Sequence, residues 1–526
     1  MRRTTAAWVA SLLLACGGAS EAPPEYPRLP SGEAEGIEPV ALAREPLRSD
    51  PIVVTQPSSS PLVTVRVAFD AGSADDEDGR EGATLLAARL MTEGGAGDRD
   101  YAALSAALYP MAAEVSATVG RDQTVFVGQV HRDHLDAFYA IFADVLLRPR
   151  MSADDFERVR SQVQTELQVD LRSADVEALG QQALQALMYR SHPYAHPALG
   201  TSAGLSRLRV DDVRAQRARV FCAGRARVGI AGAYPDGFDE RVARDVAQLT
   251  GDACQGRLTL PRPTTVRAPR VLLVDKPSSE SVAVSMGFPT AVSRSHDDYA
   301  ALTLVTSYLG QHRQFVGQLM QSIRGERGLN YGDYAYAEHF TQAPGTRFPR
   351  VNDARRQQYV SAWLRPLRPE TAHFAIRLAV RELRRVYADG LTQEEFERIR
   401  TFTSAYFALY QQTPSRRLGY AIDQGFYGQT GNYVENLRGQ WGALTLDQVN
   451  AAIRRHLDPA QLQIAIVTSE AEALADRLAS EAPSPITYRS AVPEEVTTED
   501  QEVMATELGI PRDRMEIIRV DAMFEE

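Results

Sequence analysis

The chain has 526 residues, of which 44% are hydrophobic and 24% are charged, and its net charge is -11. This length exceeds one ordinary hydrophobic core and predicts roughly two to four domains in a globular protein. An acidic chain without a basic stripe lacks the electrostatic footprint of a nucleic-acid-binding protein, so we expect no nucleic-acid partner.

Residues 1–15 are typical of an export signal. Arg2 and Arg3 precede a ten-residue apolar run from Ala6 to Ala15. The run is shorter than the roughly 20 residues of a membrane span but suits a secretory signal. The stretch "LLAC" resembles a lipobox and predicts cleavage before Cys16. With Gly17 following, we expect a periplasmic lipoprotein anchored in the outer membrane of a Gram-negative bacterium, touching lipid through acyl chains alone. The alternative is an ordinary signal with a chance cysteine.

Residues 16–50 are rich in Pro, Gly and Glu and are interpreted as a tether or an ordered arm. The first domain, 51–255, then begins with strands in "PIVVTQ" and "PLVTVRVAFDAG". They are followed by a helix from about Glu81 to Glu93, a hairpin in "AEVSATVGRDQTVFVGQV" and a helix in "HLDAFYAIFADVLL". A long helix is predicted to start at a Ser152 or Asp154 cap. Cys222 and Cys254 either form a disulfide or remain two buried thiols.

A Pro- and Thr-rich linker, 256–269, leads to a second domain, 270–482. Strands are predicted in "PRVLLVDK", "SVAVSMGFP", "GDYAYAEHF" and "QQYVSAWLRP", and helices in "YAALTLVTSYLG", "PETAHFAIRLAVRELRRVYAD" and from Thr392. Residues 483–526 form an acidic C-terminal extension that ends in a strand-like run. It is predicted either to fold back on a domain or to face a partner.

Two motifs occur twice, in the same order and at nearly the same separation. "MSADDFERVR" at 151–160 is repeated as "LTQEEFERIR" at 391–400, and "LRVDDVRA" at 208–215 as "LTLDQVNA" at 444–451. A matched pair of repeats indicates a duplicated domain. The predicted fold class is α+β: two tandem homologous α/β sandwiches, each a mixed, mainly antiparallel sheet with helices on one face.

The duplicated halves, together with "EGATLLAARLMTEGG", "FERVRSQVQTEL", "SHPYAHPALG" and "IRGERGLNYGDYAYA", resemble the pitrilysin-like zinc peptidases of family M16 over roughly residues 51–482. Active members carry H-x-x-E-H on the first helix of the first half, where two imidazoles bind Zn²⁺ and the glutamate activates water. In this chain the histidine positions are Thr84 and Ala88 and the glutamate position is Ala87. Glu166 falls at the position of the third ligand. We therefore expect no catalytic metal in this chain.

The remaining histidines give no alternative ligand set. His131, Asp133 and His134 could bind a metal, but polar residues at a helix start are more often a solvated cap. His192 and His196 flank a loop, and the other histidines lie singly in the sequence: His296, His312, His339, His373 and His456.

One feature implied by the family persists in the second half. Arg324 and Tyr331 have the spacing of an Arg and a Tyr that bind substrate and stabilise the transition state, since both can donate hydrogen bonds to a peptide carbonyl. Arg327 is a nearby alternative with the wrong spacing. Otherwise, Arg324 is a salt-bridge residue and Tyr331 an ordinary strand aromatic.

The resemblance implies a non-catalytic subunit that forms a heterodimer with a zinc-bearing M16 peptidase and helps enclose peptides or unfolded segments. The zinc is then expected in the partner. A structural or peptide-binding envelope scaffold without proteolysis is the alternative. A peptidase with an unusual metal site is a third hypothesis, against which the missing ligands argue.

Overall fold

The computed structural model describes residues 43–263, 265–341, 347–488 and 490–526. The predicted signal, Cys16 and most of the predicted tether lie outside these residues. In the described part of the chain, no helix combines the length and the apolar character needed to cross a bilayer.

The first half contains one five-stranded sheet and eight α-helices. The strands are β1 Ile52–Pro57, β2 Leu62–Phe69, β3 Glu114–Val119, β4 Thr124–His131 and β5 Ala226–Gly232. The helices are α1 Ala83–Glu93, α2 Tyr101–Leu108, α3 Leu135–Leu147, α4 Ala153–Thr165, α5 Val176–Met188, α6 Ser202–Arg207, α7 Val210–Val220 and α8 Phe238–Val246.

In their described residues, the second half and the C-terminal extension together contain a six-stranded sheet and eight further α-helices. The strands are β6 Arg270–Asp275, β7 Val282–Thr290, β8 Asp333–Tyr336, β9 Gln358–Leu367, β10 Gln463–Thr468 and β11 Met515–Arg519. The helices are α9 Tyr299–Gly310, α10 Pro369–Asp389, α11 Gln393–Tyr406, α12 Pro414–Phe426, α13 Tyr433–Ala443, α14 Leu446–His456, α15 Ala471–Ala479 and α16 Glu494–Met504.

The two sheets share one topology. Their strand orders are β1-β5-β2-β4-β3 and β11-β6-β10-β7-β9-β8. The pairs β1–β5 and β6–β10 are parallel, and the other shared pairs are antiparallel. The second sheet differs by the added parallel edge strand β11. The predicted fold class is therefore confirmed.

The repeated motif forms the same local structure in both halves. It forms the first turns of α4 and α11, where Ser152 and Thr392 cap the helices through their hydroxyls. Phe156 and Phe396 are buried in the two cores. One helical turn further on, Arg160 and Arg400 stack on these rings at 5.2 and 5.0 Å. The sequence is repeated because a capped helix with the same buried anchor is needed twice.

One helix of each half packs on the sheet of the other half. The sequence prediction placed helices on one face of each sheet and did not include this exchange. Helix α5 of the first half packs across β7 and β10, and α12 of the second half packs across β5 and β1. Leu418 and Ile422 of α12 form a small core with Ala68, Val125 and Ala231. The exchange buries the second face of both sheets and holds the halves together.

The C-terminal extension folds back on the chain. Helix α16 packs on α10, and β11 joins the second sheet. The final residues then reach the first half, where the backbone N–H of Ser202 donates to the Phe524 carbonyl at 3.0 Å. Arg172 also contacts Glu525 at 3.1 Å. The extension therefore ties the two halves together.

Residues 43–50, the described end of the predicted tether, lie against the interdomain linker. The backbone N–H of Glu45 donates to the Arg257 carbonyl at 2.8 Å, and that of Thr259 donates to the Ala43 carbonyl at 2.7 Å. Cys222 and Cys254 are joined by a disulfide, the first of the two alternatives left open by the sequence. It links the start of β5 to the segment that follows α8.

Candidate functional site

The first helix of the first half is closed where the metal motif would lie. Thr84, Ala87 and Ala88 are completely buried in α1. The Thr84 hydroxyl donates to Asp76 Oδ1 at 2.6 Å and accepts from Gln216 Nε2 at 2.7 Å. The methyl groups of Ala87 and Ala88 and the hydrogen-bonded hydroxyl of Thr84 thus stand where the motif has two imidazoles and a carboxylate. This position offers no donor set for Zn²⁺.

Glu166, at the position of the third ligand, is bound by an arginine. It lies at the start of a π-helical continuation of α4, Glu166–Ala174. Arg89, the residue after Ala88, donates two hydrogen bonds to the Glu166 carboxylate at 2.5 and 2.7 Å. A bidentate guanidinium pairs strongly with a carboxylate and uses both of its oxygens. The positive charge beside Glu166 is therefore supplied by the protein itself.

The second half brings Arg324 and Tyr331 together at the surface. Arg324 ends a π-helical segment, Met320–Gly325, and Tyr331 lies in the loop before β8. The guanidinium carbon of Arg324 is 4.6 Å from the centre of the Tyr331 ring and 4.8 Å from that of Phe315. Tyr331 is 67% exposed. Tyr331 lies two residues before β8 and is therefore outside the strand itself.

Arg327 has a purely structural environment. Its side chain is fully buried and contacts Asp500 at 2.9 Å and Glu499 at 2.7 Å, both on α16. It also donates to the Ser322 carbonyl at 2.8 Å. These contacts fix the loop that carries Arg324 against the C-terminal extension, and they leave no donor geometry for a substrate.

Arg324 keeps its charge available. Within the described ranges, no carboxylate lies within 4 Å of its guanidinium. The charge of Arg324 acts on Asp333, which is completely buried and accepts from Asn330 Nδ2 at 2.7 Å. Burial raises the pKa of Asp333 well above its usual range, against a weaker opposing effect of Arg324. Burial of Asp333 therefore favours its uncharged form.

Arg365 extends the same surface. Its guanidinium lies 5.6 Å from the Tyr331 ring and donates to Glu177 of helix α5 at 2.7 Å. Because α5 comes from the first half, the exchange of helices also supports this patch. Two cations, an exposed phenol and the exposed Phe315 ring can bind a peptide carbonyl and an adjoining apolar side chain.

The histidines differ in whether the structure brings them together with other ligand-type side chains. His131 and Asp133 lie 3.3 Å apart at the end of β4, and they do not form a three-ligand group with His134. Among the described residues, one group of three ligand-type side chains is assembled, from His296, Asp298 and His456. No local spacing in the sequence indicates this group, since His456 follows His296 by 160 positions.

These features define a class of protein: a chain of two homologous halves, each an α/β sandwich. Two family models match the chain, "Insulinase (Peptidase family M16)" over residues 52–202 and "Peptidase M16 inactive domain" over residues 207–402. Together they cover about two thirds of it. The chain belongs to the M16 peptidase family.

Curated relatives include both zinc proteases and a non-peptidase. The chain is 21% identical over 446 residues to the "Non-peptidase homolog YmxG" of Helicobacter pylori, covering 83% of this chain and 96% of that protein. It is 26% identical over 359 residues to an "Uncharacterized zinc protease" of Mycobacterium tuberculosis, covering 67% and 76%.

Solved structures show the same fold. The M16 inactive domain from Pseudomonas fluorescens matches with a TM-score of 0.70 at 20% identity, over 86% of this chain and 100% of that one. A chain of Complex III2 from Candida albicans matches with a TM-score of 0.63 at 12% identity, over 88% and 99%.

Proposed function

We propose that this chain is a non-catalytic M16-type subunit that pairs with a zinc-bearing M16 peptidase and supplies Arg324 and Tyr331 to the shared active site. The observation that carries the proposal is the contrast between the two sites. The metal position is filled with Thr84, Ala87 and Ala88, whereas the Arg–Tyr pair is assembled, exposed and free of a neutralising carboxylate. The name of the Helicobacter pylori relative, a non-peptidase, supports the first part.

The division of labour follows from chemistry. Peptide hydrolysis by a zinc peptidase needs three protein ligands and an open position for water. This chain offers one carboxylate, already paired with Arg89. Hydrogen-bond donors can still act on a substrate held in a partner's active site. The Arg324 guanidinium would bind the substrate carbonyl, and the Tyr331 hydroxyl would stabilise the oxyanion formed when water attacks.

The proposed setting is the cell envelope. Lipid attachment at Cys16 would tether the pair to the periplasmic face of the outer membrane. Peptides or unfolded protein segments would be the substrates of the pair, enclosed between its four sandwich domains.

The test uses the complex purified through a tag on this chain, assayed with a quenched peptide library. Arg324→Ala is expected to lower kcat/KM about a hundredfold, as loss of an oxyanion donor does in other hydrolases, and Tyr331→Phe about tenfold or more. Tyr109→Phe, at a tyrosine exposed in the first half, is the matched control and should leave activity unchanged.

Unchanged activity in both site variants would contradict the assignment of Arg324 and Tyr331. A purified chain without a peptidase partner, and without peptidase activity, would favour the alternative of an envelope scaffold or peptide-binding protein.

A further inference from the structure

A cluster of ligand-type side chains lies in the second half, apart from both regions described above. His296 and Asp298 belong to the turn that leads into α9, and His456 is the last residue of α14, which packs on α9. Their candidate ligand atoms all lie within 4.8 Å of one another. Two imidazoles and a carboxylate form a donor set suited to divalent transition-metal cations.

The hydrogen bonds of the cluster already orient its members. His456 Nε2 contacts Asp298 Oδ2 at 2.7 Å. His296 Nδ1 accepts the backbone N–H of Asp298 at 3.0 Å, so the neutral ring carries its proton on Nε2 and must give up this bond or change tautomer to bind a cation. The two imidazole planes are nearly perpendicular, at 87°, with centres 5.7 Å apart.

We propose that His296, Asp298 and His456 bind one divalent cation of the Zn²⁺ type, with water completing the coordination. With ligand bonds of about 2.0–2.2 Å, ligand atoms around one cation lie about 3.4 Å apart, so the more distant ligand atoms must approach and the His456–Asp298 pair, at 2.7 Å, must separate. His296 is exposed, and Asp298 and His456 are partly exposed, so side-chain rotation can provide this movement. The cation would connect the N-terminus of α9 to the C-terminus of α14 and so stabilise the second half.

Arg455 competes with the cation for the carboxylate of Asp298. Its guanidinium donates to both oxygens of Asp298, at 2.6 and 3.0 Å, and its side chain is 53% exposed. A metal ion must displace this group and, until it leaves, is repelled by its charge. Removal of a unit charge about 4 Å away changes an affinity about fivefold or more even in a water-like dielectric. The site therefore predicts effects of opposite sign from neighbouring residues.

The experiment is a calorimetric titration of the full chain with ZnCl₂ alone at pH 7.5. We expect one site. His296→Ala, His456→Ala and Asp298→Asn should each weaken binding about tenfold or more, since even outer-shell partners of a metal are worth that much. Arg455→Gln should tighten it about fivefold. His131→Ala, at another histidine paired with an aspartate, is the matched control and should change nothing.

Cobalt provides a second readout. Co²⁺ should develop visible ligand-field absorption in the wild-type chain and in the Arg455→Gln variant, and should not do so in the His456→Ala variant. The proposal is overturned if no single site is found, if His131→Ala and His456→Ala weaken binding equally, or if Arg455→Gln fails to tighten it. Circular dichroism of each variant establishes that the fold is retained.

Discussion

Helix α1 of the first half and the loop around Arg324 in the second half are the two regions where the sequence resemblance places site residues, and they differ in what they leave exposed. In α1, every position of the metal motif is buried against the core, and Glu166 is paired with Arg89. In the loop, the Tyr331 ring is two-thirds exposed and Arg324 stacks on it without an acidic partner. Helix α1 is therefore part of the hydrophobic core, whereas the loop presents the Tyr331 phenol and the Arg324 guanidinium.

The comparison shows that the core around α1 is complete without metal ligands. The methyl groups of Ala87 and Ala88 and the hydroxyl of Thr84 fill the space that the ligands of the motif would occupy. The Arg89–Glu166 ion pair balances the charge of the carboxylate. The Arg–Tyr loop gains no such compensation, because its contacts run through Arg327 to the C-terminal extension and leave Arg324 uncommitted. Selection for stability alone gives no reason to keep an exposed phenol there.

The largest expected effect comes from placing a glutamate at the glutamate position of the motif in α1. Ala87→Glu places a carboxylate at a completely buried position. Because it lacks a metal or a partner there, we expect a loss of about 4 kcal/mol in the free energy of unfolding, measured by urea denaturation. Ala106→Glu, at an exposed position of α2, should change it by less than about 0.5 kcal/mol. Equal stability of the two variants would mean that α1 is open.

The closed first half also predicts a pH response. His192 is buried, its Nδ1 accepts the backbone N–H of Tyr194 at 3.0 Å, and its Nε2 contacts the Pro261 carbonyl at 3.1 Å. A neutral ring satisfies both contacts, whereas protonation would oppose two N–H groups. Burial is the main reason that the pKa of His192 is lowered to about 4.

Because the folded pKa lies below the unfolded value of about 6.5, the unfolded chain binds more protons between these values. The contribution is present above pH 6.5 and is lost as the pH falls toward 4. We expect it to cost about 2 kcal/mol between pH 7 and pH 5, at about 1.4 kcal/mol per pKa unit. His192→Gln should show a correspondingly smaller decrease in urea denaturation, whereas His134→Gln should follow the wild type. An unchanged decrease in His192→Gln would refute this assignment.

The ion pair that replaces the third ligand can be measured by a double-mutant cycle. Arg89 and Glu166 are both largely covered, with 23% and 32% of their side chains exposed. We expect Arg89→Ala and Glu166→Gln each to cost about 1 kcal/mol, and the double variant to cost about as much as either single change. Strictly additive costs would show that the two residues are not coupled.

The smallest expected effect is on the stability of the open region. Arg324→Ala and Tyr331→Phe should each change the free energy of unfolding of the isolated chain by less than about 0.5 kcal/mol, since neither residue supports the core. Arg327→Ala is the contrasting control. It leaves Asp500 buried without its cation and should cost about 3 kcal/mol. A large loss in Arg324→Ala would mean that this residue is structural.

The sequence predicted the parts of the fold that depend on local periodicity. The limits of α9 and α10 agree with the predicted segments, and Ser152 and Thr392 are caps, because side-chain period and capping are local properties. The exchange of α5 and α12 between the sheets was not predicted, because a helix pattern shows that a face is buried but not against which element.

The site was predictable to the same extent. The absence of ligands at Thr84, Ala87 and Ala88 can be read from the spacing of a known motif. The pairing of Glu166 with Arg89, the burial of Arg327 by α16 and the meeting of His456 with His296 all join residues far apart in the chain, and no local pattern contains them.

The most direct test of the central claim is to purify the tagged chain from detergent-solubilised envelope, count its zinc and assay its peptidase activity. The His456→Ala background is used so that any zinc belongs to a partner. The account predicts a stoichiometric second chain with an H-x-x-E-H motif, about one zinc per pair, and activity that falls in Arg324→Ala. A chain that purifies without zinc and without such a partner would contradict it.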